Sequence, residues 1–215
     1  TSTIEFNITK SDISINLAQG NNSRVNRSDT NPGNTVRLAV QIWNLVLNNY
    51  TTVIPTENVK IWVMNDSTHW VEEQEISNQT HYYLDFKPGC NYLPGERKWK
   101  VNSTHSCYSS NTSEEFIVRI FGDLVNTLEK PDGTVNYTAG DLIELNGTII
   151  DDCSQPVIGT NVRFKLQTDT SVYYCPESGY VTNATGNFYN CTWNSTGKSG
   201  GWYNICLLYT SDAAD

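Results

Sequence analysis

Three kinds of side chain in this sequence could do chemistry: thiols, imidazoles, and the carboxamides of Asn-x-Ser/Thr triplets. The six cysteines, Cys90, Cys107, Cys153, Cys175, Cys191 and Cys206, form no Cys-x-x-Cys pair, and no histidine sits at metal-ligand spacing from them. That pattern reads as disulfides in an oxidising compartment, not as a zinc site. His69, His81 and His105 each follow a threonine in a polar stretch. The chain has no Gly-x-Ser-x-Gly, no His-Glu-x-x-His and no phosphate-binding loop, so the histidines read as surface residues and no enzyme is expected. Asp151 and Asp152, with Glu144 and Asp141, could offer oxygens to calcium. That ion needs six to eight oxygens and the EF-hand spacing is absent, so these carboxylates read as a solvated acidic turn. No cofactor is expected.

The triplets are the densest signal. Thirteen asparagines fit: Asn7, Asn21, Asn26, Asn49, Asn65, Asn78, Asn102, Asn111, Asn136, Asn146, Asn183, Asn190 and Asn194. Ser and Thr fill 42 of 215 positions, so chance predicts about 5 hits among the 25 Asn. The excess points to a heavily N-glycosylated extracellular protein; the bland alternative is an Asn/Ser/Thr-rich surface that produces such triplets by composition. A glycan must project into solvent. Asn146 meets that condition in a strand reading, because it lies on the parity opposite Leu145. The net charge of -9 argues against nucleic acid as a partner. No run of eighteen apolar residues occurs, so no membrane span is expected within the chain.

The elements that must carry these groups are strands. In the stretch 138–166, Ile143, Leu145 and Ile149 alternate with Glu144, Asn146 and Thr148, and Val162, Phe164 and Leu166 alternate with Arg163 and Lys165. Period-two alternation marks strands with one buried and one wet face, here read as a hairpin across a Pro-containing loop. Val36, Leu38, Val40 and Ile42 alternate likewise, as do Val59, Ile61 and Val63, and Phe116, Val118 and Ile120. Shorter strands are expected near 4–6, 13–15, 82–86, 98–101, 171–175, 179–182, 188–193 and 202–205, and 18–34 reads as a loop. No stretch of ten or more residues has a helical period, so the expected fold is all-β, two β-sandwiches in tandem.

Domain limits follow from composition. The first module covers 1–122, with a Cys-, Trp- and Tyr-bearing insert at about 65–115. A short linker covers 123–136 with its turn at Pro131-Asp132-Gly133, and the second module covers 137–205. Cys90 and Cys107 pair most naturally within the first module, closing a loop worth about 3 kcal/mol in the chain-entropy account. Cys153 pairs with Cys175 if strands 143–150, 157–166 and 171–175 run up, down and up. Trp62, Trp70, Tyr92 and Trp99 gather around the insert. They either fill the sandwich core or build a face for sugars or protein, since flat rings give large contact area beside polar groups. Trp193 and Trp202 sit in expected strands and read as core.

Two resemblances sharpen these expectations. The run Tyr137-Thr138-Ala139-Gly140-Asp141, with Leu145-Asn146-Gly147, Pro156-Val157, Gly159-Thr160-Asn161-Val162 and Thr185-Gly186-Asn187-Phe188-Tyr189, resembles immunoglobulin-like repeats of archaeal, and less closely bacterial, cell-surface glycoproteins and adhesins. Gly201-Trp202-Tyr203-Asn204 resembles a late strand of such repeats. Pro32-Gly33-Asn34-Thr35-Val36 and Gln41-Ile42-Trp43-Asn44 give the first module a looser likeness. The resemblance implies Greek-key sandwiches, a spacer or adhesion role at the cell surface, and partners among neighbouring domains of the same chain, glycans or other surface proteins. Residues 206–215, CLLYTSDAAD, resemble translated sequencing-adaptor sequence. They are therefore set outside the native fold, which leaves the second module truncated near Ile205 and its sheet edge either open or filled by 207–211.

Overall fold

The computed structural model describes residues 5–27, 35–73 and 76–210. It resolves into two units, Thr1–Gly122 and Asp123–Asp215. The first contains β1 (Ile13–Gln19), β2 (Ser23–Asn26), β3 (Val36–Asn44), β4 (Asn49–Thr51), a 3-10 turn (Thr56–Asn58), β5 (Val59–Met64), β6 (Trp70–Glu73), β7 (Ser77–Asn78), β8 (Tyr82–Phe86), β9 (Gly95–His105), β10 (Tyr108–Thr112) and β11 (Phe116–Phe121). One sheet runs β1-β3-β8-β7, with β4 on β3; the other runs β2-β11-β9-β5-β6, with β10 on β9. In the lettering of immunoglobulin-type sandwiches this is the A-B-E-D sheet against the G-F-C-C′ sheet, with β2 added parallel to G.

The alternation read from sequence sets which faces meet. Val59, Ile61 and Val63 of β5 and Val118 and Ile120 of β11 point inward with almost no exposure, against Leu38, Val40 and Ile42 of β3. Removing each such side chain from water is worth about 1.5–3 kcal/mol. Strand β2 falls inside the expected loop 18–34. Only Val25 of its four residues is buried, too few for a visible period, but its backbone pairs with β11 from Ser23 to Asn26. Residues 5–10 contain no strand, and the Pro32-Gly33-Asn34 motif lies outside the described residues.

The second unit contains β12 (Leu124–Lys130), β13 (Leu142–Asp151), β14 (Asn161–Gln167), β15 (Val172–Cys175), β16 (Phe188–Asn194) and β17 (Asn204–Thr210). Its two sheets, β12-β13-β16 and β15-β14-β17, enclose Leu145, Ile149, Phe164, Leu166, Tyr189 and Trp193. Two expectations change here. Strands β13 and β14 are not a hairpin: they lie in opposite sheets, and the Pro156 loop crosses between layers. The expected linker 123–136 contains strand β12, which pairs with β13 along its length and packs Leu124 and Leu128 against the core.

Residues 206–210, expected to lie outside the native fold, continue β17 opposite β14, and Leu207 is buried. Gly147 shows how closely these strands meet. A Cβ there would lie 2.8 Å from the Thr127 carbonyl oxygen and 3.3 Å from the Leu207 side chain. Among the described residues no strand pairs with the outer edge of β17.

Candidate functional site

The four aromatics grouped around the insert divide into two inside and two outside. Trp99 on β9 faces the interior between Val63 and Phe116, its ring 4.7 Å from that of Phe116, and is fully buried. Tyr92, in the turn before β9, is also buried, with its ring edge-on to Phe86 at 5.1 Å. Its hydroxyl donates to Glu73, and its carbonyl accepts from Arg27 Nη1 at 2.9 Å. Burial, partly offset by the tyrosine hydroxyl, holds the Glu73 carboxyl above its usual range. Tyr92 therefore belongs to the packing and carries no free ligand-binding group.

Trp62 and Trp70 stand on the opposite face of the same sheet and are half-exposed. Register places Trp62 between Lys100 on β9 and Glu72 on β6, and Trp70 opposite Met64. The Lys100 ammonium lies 4.1 Å from the Trp70 ring centre, and Lys60 pairs with Glu72 at 2.9 Å. Two indoles, a cation and a carboxylate on one sheet face can stack a sugar or a planar side chain and hydrogen-bond its edge. The split was readable from parity: Trp62 alternates with Ile61 and Val63, whereas Trp99 shares the parity of Val101.

The second unit holds an aromatic cavity that sequence reasoning missed. Its volume is about 410 Å³, and it opens where the β12–β13 connection meets the β16–β17 loop. Trp193 and Tyr203 sit 5.4 Å apart at its wall, with Tyr173 packed behind them at 5.8 and 6.2 Å. The Lys198 ammonium lies 4.6 Å from the Tyr173 ring centre. Trp202, expected in a strand and in the core, precedes β17 and is 90% exposed at the mouth. The loops are held by their own polar groups. Ser195 Oγ donates to the Asp141 carbonyl at 2.9 Å and accepts from Gly140 N at 2.9 Å, and Tyr203 Oη donates to the Ser199 carbonyl at 2.7 Å.

The cysteines pair differently from expectation. Cys175 on β15 bonds Cys191 on β16, with Cα atoms 6.0 Å apart, and so joins the edge strands of the two sheets. Cys153 is not the partner of Cys175, because β14 crosses to the other layer and carries β15 with it. Cys107 is a free, exposed thiol. Cys90 and Cys107 flank the eleven residues of β9, which extend roughly 35 Å, far beyond the ~7 Å Cα reach of a disulfide. Neither Cys90 nor Cys153 is a free thiol.

Among the acceptor triplets, Asn7, Asn21, Asn26, Asn49, Asn136, Asn190 and Asn194 are exposed, and Asn65, Asn78, Asn102, Asn111 and Asn183 are half-buried. The amides of Asn78, Asn102, Asn111 and Asn183 donate to backbone carbonyls of the fold. Asn146 is buried, contrary to its parity assignment. It sits on the central strand β13 beside Lys130 and Asn190, its amide donates to Glu144, and Lys130 pairs with Glu144 at 3.0 Å.

The remaining polar groups serve turns. Asp66 accepts from the Thr68 and His69 backbone and from the His69 ring at 2.7 Å, which holds its carboxyl well below the usual range. His105 Nδ1 accepts from Cys107 N, and His81 Nδ1 shares a hydrogen bond with the Thr80 hydroxyl. Asp151 Oδ1 accepts from Cys153 N and Gln155 N. Asp151, Asp152 and the Cys153 sulfur come together, but that sulfur is disulfide-bonded and is no thiolate ligand.

No protein-family profile and no curated protein matches the chain. Among solved structures it is similar to a tetra-tandem repeat in the extending region of a large adhesion protein, at 14% identity and TM-score 0.39, over 93% of this chain and 49% of that one. It is similar to fibronectin(III)-like modules of Clostridium thermocellum CbhA, at 14% identity and TM-score 0.32, over 94% and 88% of the two chains. A Salmonella alpha-2-macroglobulin mutant matches at 13% identity and TM-score 0.33, over 95% of this chain and 15% of that one. The chain thus spans about half the length of the first.

Proposed function

We propose that the chain is a non-catalytic extracellular segment, a spacer or adhesion element of a larger N-glycosylated surface protein. The observation that carries this reading is the Cys175–Cys191 bond across the sheets of the second unit, because such bonds persist in oxidising compartments. The exposed acceptor asparagines support it. The test is secretion of the chain from a eukaryotic cell line, followed by intact-mass analysis with and without peptide N-glycosidase. Several glycans and no free thiol at Cys175 or Cys191 are expected. A secreted, folded chain with reduced Cys175 and Cys191 and no glycan would overturn the proposal.

A second reading is favoured by one observation, the half-exposed pair Trp62 and Trp70 beside Lys100. In this reading the outer face of β5, β6 and β9 binds a glycan or a protein partner. Binding of the secreted chain to a glycan array, lost in a Trp62→Ala, Trp70→Ala double variant that still folds, is the expected result. Equal binding by that variant would remove this face from consideration.

A further inference from the structure

We infer that the aromatic cavity of the second unit is a seat for the chain's own carbohydrate, the first sugars of an N-glycan on Asn136. The inference rests on the glycosylation proposed above and adds a place where one glycan is held. Two independent observations meet here. Asn136 is itself part of the cavity wall, is exposed, and heads the triplet Asn136-Tyr137-Thr138. Trp202, at the same mouth, is 90% exposed, although the fold buries its neighbour in the cluster, Trp193, to 4%. An indole left in water on a loop that ordered hydrogen bonds hold in place has no packing role in the sandwich.

The chemistry of the wall suits a pyranose ring. Such a ring presents apolar C–H faces and polar edges, and it lies flat on indole and phenol rings. Trp202 and Tyr137 provide exposed rings at the mouth, Trp193 and Tyr203 close the wall, and Ser195 and Lys198 lie beside them. The volume of about 410 Å³ falls within the ~300–1,000 Å³ of small-ligand sites. An external oligosaccharide would have the same chemistry. The internal source is favoured because its attachment point is a wall residue, so the sugar is delivered at high effective concentration without a separate binding event.

The seated glycan also has a consequence for the fold. Thr138 N donates to Asp141 Oδ2 at 2.7 Å, and Ser195 accepts from Gly140, so the segment carrying Asn136 is tied to the start of β13 and the end of β16. A sugar resting on Trp202 would extend that tie to the loop before β17.

The experiment uses the full chain secreted with its glycans. Acrylamide quenching of tryptophan emission is measured for the wild type, Asn136→Gln and Thr138→Ala, each with and without Trp202→Phe, so that the difference isolates Trp202. Thr138→Ala abolishes the triplet while keeping Asn136 and serves as the second variant. Site occupancy is read by peptide mass spectrometry. The expected result is an occupied Asn136 and a Trp202 quenching constant about twofold lower in the wild type than in either triplet variant. Trimming the wild type to a single N-acetylglucosamine should preserve most of the protection, and complete removal should abolish it. An occupied Asn136 with unchanged Trp202 quenching overturns the inference, as does an empty Asn136 when other sites are filled; both leave the proposed function standing. Protection of Trp202 by added chitobiose at low millimolar concentration in the wild type with Asn136 occupied, equal to that in Asn136→Gln, overturns the internal source in favour of an external sugar. A secreted chain with no glycan at any site removes both readings.

Discussion

The Lys100 ammonium lies 4.1 Å from the centre of the Trp70 ring, on the face of the sheet opposite the one that buries Trp99. One sheet therefore carries two tryptophans with different work, and substitution separates them. Trp99→Ala should cost about 3–5 kcal/mol of unfolding free energy, as large-to-small changes in a packed interior do. Trp70→Ala loses a half-exposed ring and one cation–π contact and should cost about 1 kcal/mol or less. Urea denaturation of the two variants checks this. If Trp70→Ala matched Trp99→Ala, the outer tryptophans would be structural and unavailable to a ligand.

The bond between Cys175 and Cys191 closes a loop with a sequence separation of 16 and joins the edges of two three-stranded sheets. Loops of this size contribute about 3 kcal/mol in the chain-entropy account. A Cys175→Ala, Cys191→Ala variant should lose about that amount, and Cys107→Ala, at an exposed free thiol, should be near neutral. Thermal melts of the two variants read the contrast. Equal melting of the double variant and the wild type would show that the second unit does not depend on the staple.

Which parts of this were legible in the sequence follows a physical line. Strands β3, β5 and β11 were, because Val, Leu, Ile and Phe recur at every second place on their inward faces, although β3 also buries Ala39 and Asn44. Strand β2 was not: its stability comes from backbone pairing with β11, and hydrogen bonds leave no mark on side-chain pattern. Strand β12 was hidden for a related reason. As an edge strand it presents only Leu124 and Leu128 to the core, and its remaining residues are exposed. The cysteine pairing depended on which layer β14 joins, a tertiary choice the alternation does not encode. The cavity in the second unit needed the meeting of two loops some sixty residues apart in sequence.

Glu73 gives the chain a pH-dependent element. Folding raises its carboxyl above the ordinary 4.5, because burial penalises the charged form more than the Tyr92 hydroxyl favours it. In the window above 4.5 the native state binds more protons than the unfolded state, so this group's contribution to stability falls as pH rises through it. Glu73→Gln keeps an acceptor for Tyr92 and removes the charge. The melting temperature of Glu73→Gln relative to the wild type should therefore increase from about pH 4 to about pH 7. A gap that stayed constant with pH would show that Glu73 is ionised in the native state without penalty.

Asn146 and Asn194 set the clearest contrast among the acceptor triplets. The Asn194 side-chain oxygen accepts from Thr196 N at 2.9 Å, and the residue is exposed. Asn146 lies under the Lys130–Glu144 pair on the central strand, and its amide is taken by Glu144. A glycan on Asn146 would have to break that pair and lift β12 or β16 from β13. In the folded, secreted chain Asn194→Gln should therefore remove one glycan mass, and Thr148→Ala, which abolishes the Asn146 triplet, should remove none. Peptide mass spectrometry of the folded fraction decides it. An occupied Asn146 would mean that β13 does not occupy the centre of its sheet in the secreted protein.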